Sequence, residues 1–174
     1  IHCGLVGSEM CIRDRAMIMD MNLTNNVIIG RQNIDKYKSS LGTMKMKNAV
    51  NESEKVISSF DVKTPGTSTL ATALSGGNQQ KFVVGRELED NPSLLIASQP
   101  TRGIDIGAQA LIWEKLRNSR DEGLSVLLIS ADLEELIGLS DRIIVFYQGK
   151  LVKELDAEKV TPEDLGGYMT GLKK

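Results

Sequence analysis

Three short apolar runs, Ser93 to Ala97, Ser125 to Ser130 and Ile143 to Tyr147, are separated by two stretches of helical periodicity. A strand that is followed by a helix rejoins its sheet in the parallel sense, because parallel pairing needs a crossover. The first two runs do not alternate with polar residues, which is the pattern of strands buried on both faces. Between them, Gly107 to Glu122 reads as a helix with Ala108, Leu111, Ile112 and Leu116 along one side and Gly123 as its stop. Asp132 to Leu139 is a second, shorter helix. Gln148-Gly149 then turns the third run into Lys150 to Leu155, and Thr161, Pro162 and Asp164 have the order of a capped helix start. These elements predict an α/β core with parallel pairs.

The first half is of another kind. Leu23, Val27 and Ile28 have helical spacing within Met17 to Gly30. Residues 31 to 48 are polar and basic, with Lys36, Lys38, Lys45 and Lys47, and predict a surface loop. Asn51 to Phe60 reads as a helix with Val56, Ile57 and Phe60 inward. Thr64-Pro65-Gly66 and a Ser/Thr run lead as a loop into Leu74. An all-α lobe ahead of the α/β core is expected. Met17, Met19 and Met21 read as core filler, Trp113 as packing, and Lys45, Lys47 and Lys55 as a solvated face.

Charge narrows the functional classes. The chain has 21 basic and 23 acidic residues among its 174, for a net charge of −2, and no basic stripe, which argues against a nucleic-acid partner. No run of eighteen apolar residues occurs, so the sequence contains no membrane span. Cys3, Cys11 and the single histidine, His2, all fall within the first eleven residues, in no disulfide or metal-binding pattern. Residues 5 to 15, LVGSEMCIRDR, resemble a translated sequencing-adapter run. Residues 1–15 are therefore expected to be foreign, with the genuine polypeptide starting near Ala16 and truncated upstream.

Chemistry concentrates in residues 74 to 81, LSGGNQQK. A helix start leaves backbone N–H groups unpaired, and glycines let that backbone come close to an anion. Ser75 adds a hydroxyl. Gln79 to Leu88 continues as a helix that stops at Asn91-Pro92. Beyond the first strand, which ends in Ser98-Gln99, comes PTRGID, Pro100 to Asp105.

LSGGNQQK resembles the signature motif of ABC-transporter ATP-binding domains, in the form used by sugar and nucleoside importers. PTRGID resembles their D-loop, and VLLISADLEELIGLSDRIIVFYQGKLV their switch region and final strands. The resemblance runs from Ala16 to Lys174. It implies an incomplete P-loop NTPase fold of ABC type, with a helical subdomain over 16–80 followed by a partial, mostly parallel sheet core over 81–174. It places the chain in the C-terminal part of the second ATP-binding domain of a tandem-domain importer protein.

The resemblance also implies roles. Ser75, Gly76, Gly77 and Gln79 would contact ATP held on the opposite domain, and Asp105 would lie at the interface of the pair. The helical lobe would meet a membrane permease at the cytoplasmic face of the membrane, with a solute-binding protein engaged indirectly. Departures concern the domain's own site. No GxxxxGK[ST] loop occurs. Ser98 stands where the family has an Mg²⁺-holding aspartate, Gln99 where it has a catalytic glutamate, and Ala131 where it has a switch histidine. Serine offers a hard cation no charge, and glutamine orients a water without accepting its proton. A degenerate site is expected, with no metal ligand and no tight ATP or Mg²⁺ binding outside the full-length assembly. Two other classes share these features: a soluble ABC-type ATPase acting on ribosome or DNA, and an inactive fragment with an interaction role only. SQPTRG looks closer to nucleoside importers than to ribose, xylose or galactose ones.

Overall fold

The structure is a computed structural model and describes residues 16–89 and 92–173. The adapter-like run, His2, Cys3, Cys11 and Asn91 lie outside those residues. Among the described residues the order is α1 (Leu23–Ile28), α2 (Met46–Ser59), a 3₁₀ turn (Ala71–Ala73), α3 (Gly76–Leu88), β1 (Leu94–Ser98), α4 (Ile106–Asp121), β2 (Ser125–Ile129), α5 (Leu133–Leu139), β3 (Arg142–Tyr147), β4 (Lys150–Asp156) and α6 (Pro162–Met169).

The helical lobe is organised by polar side chains as much as by its apolar stripe. Helix α1 is far shorter than the run from Met17 to Gly30. Asn22 caps it through Asn25 N, and Asn26, fully buried, ties Ile18 and Met21 to it. Arg86 on α3 donates to the carbonyls of Ala16 and Asn26, so a buried guanidinium joins α1 to α3. Residues 31 to 48 depart from a plain surface loop. Tyr37 is fully buried there, Lys45 N donates to Tyr37 O at 2.7 Å, and α2 begins at Met46 rather than Asn51. One buried aromatic ring is enough to anchor an otherwise polar run.

Helices α2, α3 and α4 share the larger core, built on Val56, Phe60, Phe82, Ile112 and Leu116. Met17 is buried in it, whereas Met21 is exposed. Helix α3 crosses α2 closely at Gly85, where a Cβ would stand 2.6 Å from Phe60 Cδ2.

The strands form two separate pairs. β1 and β2 are parallel, with Leu94 opposite Ser125 and Ser98 opposite Ile129. β3 and β4 are antiparallel, joined through Gln148 and Gly149 at φ 48° and 75°, the positive pair that a tight hairpin turn needs. The third strand therefore leaves the parallel pattern. The expectation of strands buried on both faces also fails. Leu94, Ile96, Leu127 and Ile129 are 53, 60, 51 and 37% exposed, because the described residues supply cover for one face only. On that covered face Leu95 packs toward the larger core and Leu128 toward a smaller one built on Leu136, Ile143, Val145 and Leu165.

Candidate functional site

Ser75 is the N-cap of α3, in extended backbone, and its Oγ accepts from Asn78 N and Asn78 Nδ2. The side chain is exposed. Gly76 and Gly77 occupy the first two helical positions, where backbone N–H groups have no carbonyl of the preceding turn to bond. No acidic side chain of the helix itself sits in its first turn. Gln79 is buried, and its Nε2 donates to Ala71 O at 3.0 Å and Leu74 O at 3.1 Å. Those bonds hold the approach to Ser75 in place, and they commit the amide group of Gln79 to the loop beneath the turn.

Asp105 caps α4 by accepting from Ala108 N at 2.9 Å. The same cap lies against the signature helix: a Cβ on Gly77 would come within 2.8 Å of Asp105 Oδ2 and 3.1 Å of Ala108 Cβ. The two sequence motifs are thus one structural unit, the start of α3 packed on the start of α4.

Ser98 ends β1, and Gln99, which follows it, donates from its N to Ile129 O at 2.7 Å. Gln99 has φ 51°, a left-handed conformation that costs a side-chain-bearing residue about 1 kcal/mol or more. Gln99 and Ala131 line one polar pocket of about 450 Å³ together with Thr101, Arg102, Asp132 and Glu135. Gln99 and Ala131 are therefore brought together, while Ser98 does not line that pocket.

Sequence reasoning missed Glu135. It is 1% exposed, and its Oε1 accepts from Thr101 Oγ1 at 2.5 Å and from Trp113 Nε1 at 3.2 Å. Trp113 is more than packing. A Glu inside an amphipathic helix gives no sequence signal of burial, and only the pairing of three distant segments reveals it. Asp132 spends Oδ1 on the amides of Glu134 and Glu135. Each pocket carboxylate thus spends one oxygen on holding the protein, Glu135 Oε1 and Asp132 Oδ1, while Ser98 and Gln99 contribute none. This donor set does not fit a magnesium ion, which takes carboxylate and water oxygens in octahedral geometry.

No protein-family model matches the chain. Over 155 residues, 89% of its length, the chain is 41% identical to the guanosine import ATP-binding protein NupO of Bacillus subtilis. It is 37% identical over 158 residues to the nucleoside import ATP-binding protein NupA of Lactococcus lactis subsp. cremoris, and 35% over 156 residues to the ribose import ATP-binding protein RbsA of Clostridium tetani. The chain spans 30% of the length of each. Among solved structures, a dimeric ATP-binding cassette in a post-hydrolysis state bound to ADP and Pi matches with TM-score 0.64 at 19% identity, covering 87% of this chain and 68% of that one. A nucleotide-free ATP-binding cassette from an ABC transporter matches with TM-score 0.65 at 20% identity, covering 87% and 60%. The fold is that of an ABC-type P-loop ATPase domain, in part. Among the described residues no helix is long and apolar enough to cross a membrane.

Proposed function

We propose that this chain is a segment of the ATP-binding protein of an ABC importer for a nucleoside or a simple sugar. Its signature turn serves an ATP site on a partner ATP-binding domain of the same longer protein. Its own site is retired. The observation that carries this reading is the start of α3: Ser75 exposed at the cap, Gly76 and Gly77 with unpaired N–H groups, and Asp105 packed behind them. Such a helix start donates hydrogen bonds to phosphate oxygens in the field of the helix dipole. ATP with Mg²⁺ is the ligand of the assembled protein, and Mg²⁺ would be held on the partner's half of the shared site, not by Ser98 or Gln99.

The nucleoside-importing relatives support the solute class, and SQPTRG favours it over sugars. The helical lobe meets the membrane permease at the cytoplasmic face, and the solute-binding protein acts through that permease. In the intact protein, Ser75→Ala is expected to lower ATP hydrolysis about a hundredfold, the scale of losing one oriented donor to transition-state charge. An unchanged rate overturns the reading. Co-purification with ribosomes or DNA instead of a permease would favour a soluble ATPase.

A further inference from the structure

We propose that Glu135 is a positioning residue that links the pocket lined by Gln99 and Ala131 to the signature helix, through Thr101 and Asp105. The inference rests on the signature reading above for its effect on hydrolysis, and on geometry alone for its effect on structure. Three segments converge on one buried oxygen. Thr101, early in the loop between β1 and α4, donates to Glu135 Oε1; Trp113, two turns into α4, donates to the same atom. Glu135 N is fixed in turn by Asp132, one residue after Ala131. A buried carboxylate is costly unless its hydrogen bonds are made, so the arrangement persists only while all three segments keep their places.

Within the loop Arg102 N donates to Gln99 O at 3.3 Å, Ile104 packs against the larger core, and Asp105 caps α4 and abuts Gly77. Pro100 is fully buried and Gly103 lies at φ 71°, so the path from Thr101 to Asp105 is short and conformationally defined. Whatever displaces Thr101 therefore moves the cap on which the signature turn rests. Thr101 and Glu135 act as one unit whose output is read at Asp105.

The test compares wild type, Thr101→Val, Glu135→Met, which has no accepting oxygen, and the double variant in the intact protein, with Thr101→Ser as the conservative control. Amide exchange of Ala108, whose N–H is held by Asp105, is expected to quicken about tenfold in each single variant, confined to residues 99–108, with the double no worse than the more affected single. Hydrolysis is expected to fall about tenfold in kcat with KM for ATP nearly unchanged, and Thr101→Ser to restore most of it. Exchange that quickens evenly across the chain, or losses that multiply in the double variant, would overturn the proposal. So would unchanged exchange at Ala108. Ser75→Ala separates the two readings: if it leaves hydrolysis intact while Ala108 exchange responds as expected, the signature reading fails and the positioning role stands.

Discussion

Gly77 and Asp105 are packed so closely that a methyl group on the glycine would stand 2.8 Å from the aspartate's Oδ2. One belongs to the signature turn and the other caps the helix after the D-loop, so each motif restricts what the other tolerates. Gly77→Ala must shift the Asp105 carboxylate, whose other oxygen, Oδ1, caps Ala108 N, and loss of such a cap costs about 1 kcal/mol. In the intact protein, Gly77→Ala is expected to lower both melting temperature and ATP hydrolysis. Asp105→Asn, which keeps a capping oxygen, should melt near wild type. Equal melting of Gly77→Ala and wild type would show that the cap yields without cost.

Gly85 is a glycine of the packing kind. Helix propensity alone favours alanine there by about 1 kcal/mol. A Cβ at 2.6 Å from Phe60 Cδ2 and 2.9 Å from Val56 Cγ1 opposes it, and overpacking costs about 1–3 kcal/mol. Gly85→Ala is expected to be net destabilising in denaturant unfolding. A gain in stability would mean that α2 and α3 can move apart.

Restoring carboxylates does not restore a site. Ser98→Asp with Gln99→Glu is expected to change hydrolysis in the intact protein less than about twofold, because Ala131 still provides no donor and each pocket carboxylate still spends one oxygen on the protein. Gln99→Ala should be similarly mild, and Gln99→Gly mildly stabilising, since φ 51° suits glycine. A large loss of hydrolysis on Gln99→Ala would reverse the assignment of a retired site.

Acid should loosen the second half. Lys173 beside Asp164, assisted by Thr161, holds that carboxyl below its ordinary 3.8, and Lys159 does the same for Asp156. A depressed carboxylate contributes stability that is complete above the unfolded value and lost as pH falls through the folded one. Both pairs are exposed, so the effect is small. Lys159→Met with Lys173→Met is expected to lower the melting temperature slightly at pH 6 and to converge on wild type once the pH has fallen below the depressed range in which Asp156 and Asp164 take up protons. A gap between the variants that persists at low pH would assign the loss to packing of the lysine stems.

Much of the fold was legible because its signals are local. Ser75, Asp105, Asp132 and Thr161 each cap the helix that follows, and each is readable from a few neighbouring residues. The order of strands and helices, the turn at Gln148-Gly149 and the absence of carboxylates at Ser98 and Gln99 are equally properties of short stretches. They were sufficient for the fold class and for the doubt about this domain's own chemistry.

Tertiary structure decided what depends on distant segments meeting. The pairing of Gly77 with Asp105, the burial of Glu135 under Thr101 and Trp113, and the inward turn of Gln79 require positions that no local pattern encodes. The same holds for the sheet. An apolar strand looks alike whether one face or two are covered, and Leu94, Ile96 and Leu127 are open only because no described element packs on them. Capping and periodicity are set within a turn of chain, whereas burial and hydrogen-bond partnership are set by which surfaces come together.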